Sequence, residues 1–276
     1  MKNKQGEFIK DTFAEYLGRK DHISSSDIKN FLKSPKYYYY NKYEKEEKSE
    51  ERHFAIGSAL HELIMEAHLF NQNYIVTPKF DRRTTAGKEA YLKWVEESNG
   101  KTIIMQDEAE MITKMAESAS NNKTFMSFLN DSYRELSFYT TDEKTGLKLK
   151  MRPDIMPVNM STIVDIKSCV DCSPLHFKRD VYSYGYSLSA AFYTTFIGRE
   201  NYVFAAIEKQ PPYQTTLYSL SDDMINYGCE QFRIGLDLLK WSYDNNYWCD
   251  HNEFEILKEC YQLGNLDSFL QTIDKS

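Results

Sequence analysis

Residues 151–171 read MRPDIMPVNMSTIVDIKSCVD. Asp154, Asp165 and Lys167 stand there among apolar residues, where an unpaired charge is costly to bury. Residues two apart in a strand point to the same face. Asp165 and Lys167 therefore share one face, while Val164 and Ile166 point to the other, into a core. Between Asp154 and Asp165 the segment PVNMS reads as a turn. The turn brings the two aspartates onto neighbouring strands, so two carboxylates and an ammonium converge on one patch of sheet.

Two adjacent carboxylates repel unless something neutralises them. A divalent cation does so, and Mg²⁺ is commonly held by one or two carboxylates, water and substrate phosphate. Such an ion polarises a phosphate and generates a hydroxide nucleophile. A neighbouring lysine orients water and offsets charge developing in the transition state. The bland alternative is a surface ion pair, Asp165 with Lys167 or Asp154 with Arg152. Spacing this short leaves the two readings at even odds.

Other residues offer weaker signals. His61 lies on a strongly periodic apolar segment, HFAIGSALHELIMEAHLF, where a lone histidine is more often a core residue. Glu135 opens the strand sequence ELSFY and either helps hold a metal or its water, or is an edge-strand charge. The stretch PKFDRRTTAGKEAYLKW gathers Lys79, Arg82, Arg83, Lys88 and Lys93 around Gly87 and Trp94. It is the best candidate for a backbone-phosphate track, with Lys178 and Arg179 adding to the same channel. Cys169 and Cys172 form a CxxC, but no cysteine precedes them. The remaining three, Cys229, Cys249 and Cys260, are scattered over helical sequence. A cluster needs four well-placed ligands, so no iron–sulfur centre is expected.

The elements that must position these residues follow from periodicity. Residues 1–22 read as a polar arm or loose helix. ISSSDIKNFLKSPKYYYYNKY reads as a helix capped by Ser25 or Ser26 and ended or bent by Pro35. YEKEEKSEER is a charged connector, and helix follows over 53–70. A loop leads into a helix ending near residue 98, and residues 106–130 read as helix. Period-two alternation then gives strands at 134–141 and 147–155 about a DEKTG turn, and a third strand at TIVDIKSC. Residues 175–198 return to helix. NYVFAAIEK and QTTLYSL are strands joined by QPPY, and residues 221–246 are a helix after an acidic cap. The expected fold is α/β: a mixed central sheet flanked by helices, with a helical N-terminal region. The domain expectation is an arm over 1–22, one domain over 23–250 with its catalytic core at about 130–220, and a tail over 251–276.

The motifs resemble a known family. RPD, ten residues, then DIK fits the core of the PD-(D/E)XK nuclease superfamily. GSALHELI resembles the segment that carries a metal-binding histidine in its RecB-like branch, and YGYSLSAAFY resembles that branch's tyrosine-bearing helix. Longer stretches resemble, in the same order, the RecE-type exonuclease VIII family of phages and prophages. They are ISSSDIKNFLKSPKYYY, FAIGSALHELIMEAHLF, YIVTPKFDRRTTAGKEAYLKW, the block from RPD through SAAFY, and FAAIEKQPPYQTTLYSL. Together they span roughly residues 22–240.

The resemblance implies a Mg²⁺-dependent enzyme, with Mn²⁺ as the other candidate ion, that degrades one strand of duplex DNA from its 5′ end. The 3′ single-stranded tail would go to a RecT-like annealing partner. It further implies a ring-shaped homo-oligomer around DNA. His61, Asp154, Asp165 and the backbone carbonyl of Ile166 match the metal ligands, Lys167 the catalytic lysine and Tyr193 the helix tyrosine. Where the family commonly has glutamine, this chain has Ser189, and the histidine often found two residues earlier is Ser187. Glutamine is longer and has two donors, so this departure bears on DNA positioning. Two alternatives stay open: an endonuclease or single-strand-specific enzyme on the same core, and a catalytically weak DNA-binding protein.

The totals set the frame. The 276 residues carry a net charge of −7, with 41% apolar, 27% charged and 14% aromatic residues, including 21 tyrosines. This is the composition of a soluble globular protein. The acidic total argues against binding nucleic acid over the whole surface and leaves a local basic channel open. Five cysteines and a polar N-terminal sequence point to a reducing cytoplasm, with no secretory leader or membrane span expected; the resemblance to a phage and prophage family implies that of a bacterial host.

Overall fold

The computed structural model describes residues 6–45, 52–98, 100–266 and 269, with the backbone alone at 52–54. Most of the YEKEEKSEER connector lies outside the described residues. Strand β1 (Gly6–Ile9) opens the chain, followed by helix α1 (Phe13–Gly18). Thr12 caps α1 by accepting from the Glu15 amide, and Glu15 reaches back to the Thr12 amide. The segment read as an arm thus contributes a strand and a capped turn of helix. Helix α2 (Ser25–Lys33) is capped by Ser24 and Asp27 in the same reciprocal way, one residue earlier than expected. Ser34 ends α2 and caps α3 (Pro35–Tyr39), with Pro35 in the first helical position, where a missing N–H costs nothing.

Helices α4 (Arg52–Met65) and α5 (Ala67–Asn73) break at Glu66 within the single helix that periodicity suggested. Strand β2 (Tyr74–Val76), helix α6 (Thr85–Glu97) and strand β3 (Thr102–Ile104) follow, with β2 and β3 parallel. Helix α7 (Gln106–Asn121) buries Ile112, Met115 and Ala119, and Asn122 starts α8 (Lys123–Leu129).

The strands β4 (Ser132–Arg134), β5 (Ser137–Thr141), β6 (Lys148–Met151), β7 (Ile155–Pro157) and β8 (Thr162–Cys169) come next. The long hairpin expected over 134–155 is divided between two sheets. Its inner part, β5 and β6, joins β1 in a three-stranded sheet. Its outer part, β4 and β7, joins a five-stranded sheet of order β10–β9–β8–β7–β4. Glu135 sits at the crossing with φ of 50°, a left-handed conformation uncommon for a residue with a side chain.

Helices α9 (Pro174–Ser183) and α10 (Tyr186–Ile197) cross over from β8 to the parallel strand β9 (Asn201–Glu208), and β10 (Thr215–Ser219) pairs antiparallel to β9. A parallel pair needs such a crossover. Helix α11 (Asp222–Asn245) begins at Ser221, and α12 (His251–Gln262) at Asp250. No helix among the described residues is long and apolar enough to cross a membrane.

The five-stranded sheet is covered on both faces. Val164, Ile166, Val203, Ala205 and Ile207 pack under α4, α7 and α8. Ile163, Tyr202, Phe204 and Ala206 pack under α9 and α10. A third cluster joins α2, α10, α11 and α12 through Phe31, Phe192, Phe232, Leu236 and Phe254. The helices there approach closely: a Cβ on Gly228 would lie 2.1 Å from the Ser187 carbonyl oxygen. The stretch read as a C-terminal tail holds α12, whose Phe254 and Leu257 are fully buried.

Candidate active site

Strands β7 and β8 are in register only through Ile155 and Val164. Beyond that pair they diverge, and the backbone of Ile166 loses its ladder partner on that side. A buried amide or carbonyl must find another partner, and side chains supply both. Asp154 Oδ2 accepts from the Ile166 amide at 2.7 Å. His61, on α4, bonds the Ile166 carbonyl through Nε2 at 2.9 Å. With its proton on Nε2, the ring turns the lone pair of Nδ1 toward Asp154 Oδ2, 3.5 Å away. Two acceptors facing one another call for a cation between them.

Glu135 completes this group. Donor atoms of His61, Glu135 and Asp154 all lie within 4.8 Å of one another. The left-handed turn at Glu135 aims its carboxylate inward, and Arg152 Nε holds it at 2.7 Å. Arg152 is anchored in turn by the carbonyl and carboxylate of Asp11 and by Ser137 Oγ. The Asp154–Arg152 pair of the bland reading does not form.

The other half of the site lies on β8. Lys167 Nζ is ion-paired with Asp165 Oδ2, and both side chains are largely buried. Tyr202, on β9, couples its hydroxyl to Asp165; burial and that charge raise its pKa well above the usual phenol value. Burial alone would lower the pKa of Lys167, but Asp165 and Asp154 more than reverse this and hold it above the ordinary lysine range. In the metal-free site Lys167 is therefore held as a cation and a donor. Burial pushes Asp154 up to about 7, with His61 opposing and Asp165 reinforcing the rise. A carboxylate so reluctant to ionise by itself is one that a metal ion would stabilise.

The donor set fits a hard divalent cation: carboxylate oxygens, one backbone carbonyl and one imidazole. The facing acceptors of His61 and Asp154 are what such an ion would satisfy. His61, Glu135 and Asp154 group closely enough to hold it beside the Ile166 carbonyl, while Asp165, paired with Lys167, stands outside that group.

The chain from Ser24 to Glu259 matches the model of a family described as "PDDEXK-like domain of unknown function (DUF3799)". The chain belongs to this family. The expected superfamily and the α/β nuclease core are thereby established for it. Over 90% of its length, at 15% identity and a TM-score of 0.64, the chain is similar in structure to a candidate exonuclease from Eubacterium rectale, of which it covers 90%. An alkaline exonuclease from Laribacter hongkongensis aligns at 13% identity and a TM-score of 0.31, over 84% of this chain and 95% of that one. A phage-related exonuclease from Haemophilus somnus aligns at 11% identity and 0.33, over 82% and 96%. The first shows the shared fold, and the other two are too distant to carry an argument. No curated protein sequence matches the chain.

In this PDDEXK-like chain, His61, Glu135, Asp154, Asp165 and Lys167 meet at one splayed strand edge. Tyr193 stands behind them, its hydroxyl accepting from the Arg152 amide at 3.3 Å, so it braces the RPD turn. Ser189 turns away to Ser25, with the two Oγ atoms 3.3 Å apart. The site opens into a cleft of about 2190 Å³. That exceeds the roughly 300–1,000 Å³ of small-molecule pockets and suits a polymer.

The expected phosphate track lies elsewhere. Lys79, Arg82 and Arg83 line a separate shallow depression, with Arg82 over the Tyr91 ring at 4.4 Å. Neither they nor Lys88, Lys178 and Arg179 border the cleft. Its cations include Lys10, Lys20, Lys29 and Lys33 from the N-terminal segment, beside Arg134, Lys150, Arg152, Lys167 and Lys209. Cys169 and Cys172 are buried, and Cys172 Sγ lies 3.1 Å from Thr216 Oγ1. Sequence reasoning missed Tyr202, Asp11 and Lys29, because each enters the site through a pairing between distant segments.

Proposed function

We propose that this protein is a Mg²⁺-dependent exonuclease that degrades one strand of duplex DNA from its 5′ end and leaves a 3′ single-stranded tail. The observation that carries the hydrolytic part is the meeting of His61, Glu135 and Asp154 with the Asp165–Lys167 pair at one strand edge in an open cleft. The polarity, the tail, a ring-shaped oligomer and a RecT-like annealing partner rest on the family resemblance of the sequence.

A bound divalent ion, Mg²⁺ or Mn²⁺, supplies Lewis-acid polarisation of the phosphate and an ionised water. His61, Glu135, Asp154 and the Ile166 carbonyl present donors for it. Lys167, held protonated, donates toward the attacking water or a phosphate oxygen and offsets charge as the phosphorus–oxygen bond breaks. Asp165 fixes the ammonium in place, and Tyr202 fixes Asp165. Arg152 holds Glu135, while Tyr193 holds the backbone of Arg152. The water displaces the 3′ oxygen of the departing nucleotide, and the remaining strand keeps a 5′-phosphate.

The test is digestion of linear duplex DNA labelled at the 5′ or the 3′ end, with Mg²⁺ or EDTA, beside closed circular DNA and an Asp165→Ala control. Metal-dependent release of mononucleotides from 5′ ends, absent from circles and from the variant, supports the reading. Nicked circles would replace it with an endonuclease. Binding with no cleavage of either DNA would leave a DNA-binding protein on a nuclease fold.

A further inference from the structure

The cleft contains a cation that the chemistry above leaves unused. Lys29 lies half-buried on α2 and borders the same cleft as His61, Asp154 and Lys167. Its ammonium has no hydrogen bond or ion pair among the described residues. Two other basic groups along this wall, Lys42 and Lys150, are engaged. Lys42 pairs with Asp27 at 3.2 Å, and Lys150 donates to the carbonyls of Tyr16 and Arg19. Lys29 instead lies near enough to Lys167 and Asp165 to feel both charges. Burial and then Lys167 push its pKa down to about 8, with Asp165 offsetting only part of the shift. An ammonium without a partner adds no pairing energy to the fold.

Its seat is nevertheless built. The lysine stem runs over Gly185, where φ is 61° and a Cβ would lie 2.9 Å from Lys29 Cδ. One turn along, Ser25 of α2 meets Ser189 of α10. Small residues on α10 thus face α2 at both positions and make the space through which Lys29 enters the cleft. Ser189 is bound to Ser25 and is too short to reach a substrate there. The only long polar side chain on this pair of facing positions is the lysine.

We propose that Lys29 contacts substrate, its ammonium taking a non-bridging phosphate oxygen of the strand held in the cleft. The proposal rests on the nuclease reading for its substrate, a nucleic-acid backbone. It accounts for the missing counterion: the partner arrives with the DNA. Two ammonium groups, Lys29 and Lys167, then face the polyanion from different elements, α2 and β8. This explains how an acidic protein presents a local positive field at the one place where a phosphate must come close.

The test compares the wild type with Lys29→Met and Lys29→Arg. Binding of a fluorescein-labelled linear duplex is followed by anisotropy in EDTA over a series of salt concentrations, with thermal melting in parallel. Lys29→Met should lower affinity about tenfold, the scale of one charge-assisted hydrogen bond. It should reduce the slope of log K against log salt by about one, as expected for one lost phosphate contact. Its melting temperature should not fall, because the ammonium holds no partner in the folded protein. Lys29→Arg should bind like the wild type. Unchanged affinity and salt slope in a folded Lys29→Met would overturn the proposal. So would a lowered melting temperature in that variant, which would make the lysine structural, or a wild type that does not bind duplex. If the wild type binds but never cuts, while the Lys29→Met deficit persists, the nuclease reading falls and the phosphate contact stands.

Discussion

His61 and Asp154 hold the two backbone polar groups of a single residue, Ile166: one on its carbonyl, the other on its amide. The side chains that would bind metal therefore also close the gap where β7 leaves β8. Metal binding and strand geometry are coupled, and the coupling has a measurable pH dependence. The folded pKa of Asp154 is raised above its unfolded value, up to about 7. The folded protein thus holds this proton more tightly than the unfolded chain. Without metal, this group's contribution to stability is full below the ordinary carboxylate range and is lost as pH rises through about 7. Mg²⁺ or Mn²⁺ competes with the proton, so its stabilising effect should grow over the same interval. Melting temperatures from pH 5 to 8, with EDTA or with metal, should show the two curves diverging as pH rises. Asp154→Asn should flatten the EDTA curve and abolish the metal shift; parallel curves in the wild type would remove Asp154 from the metal site.

Lys167 should behave as a fixed charge. Asp165 and Asp154 keep its pKa above the ordinary lysine value despite burial. In EDTA, NMR titration of the Lys167 ammonium in the folded protein should therefore show it still protonated at about pH 10, the usual lysine range. Lys167→Met should lower kcat by about 10²–10³, the loss typical of removing one preorganised donor to a transition state, with KM changed much less. An alkaline limb below pH 9 that disappears in Lys167→Met would instead make the lysine a proton acceptor.

The shared face of Asp165 and Lys167 was legible because period-two geometry alone determines it, whereas Asp154 stands in the bend before β7 rather than on a strand. Strand β8 was read at its full extent for the same reason. The division of the hairpin between two sheets was not legible. It depends on the left-handed backbone at Glu135, which no alternation pattern encodes. Charge density along the chain points to Lys79, Arg82 and Arg83, which lie outside the cleft. The cleft takes its cations one at a time, from the segment read as an arm, from α2 and from strands far along the chain. Only tertiary packing brings Lys29 beside Lys167 and Asp11 beside Arg152.

The N-terminal segment should tune the metal site without touching the metal. Asp11 accepts from Arg152, which holds Glu135 in the donor group. Asp11→Ala frees Arg152 and should weaken Mn²⁺ affinity, measured by calorimetry, about 10–100-fold, the scale seen when a ligand's supporting partner is lost. Glu135→Gln should do at least as much, and the double variant little more, because both act through one carboxylate. Full additivity would separate Asp11 from the site.

The C-terminal helix should be part of the folded core. Phe254 is fully buried, edge-on to Phe31 with centroids 5.4 Å apart, and Phe31 belongs to the helix that carries Lys29. Phe254→Ala leaves a cavity between α2 and α12 and should cost about 3–5 kcal/mol in denaturant unfolding. Truncation after residue 250 should cost more, because Leu257 leaves the core as well. The damage should extend to the cleft, since α2 loses the surface that sets its position. A truncated protein with wild-type stability and DNA affinity would show that α12 only decorates the domain.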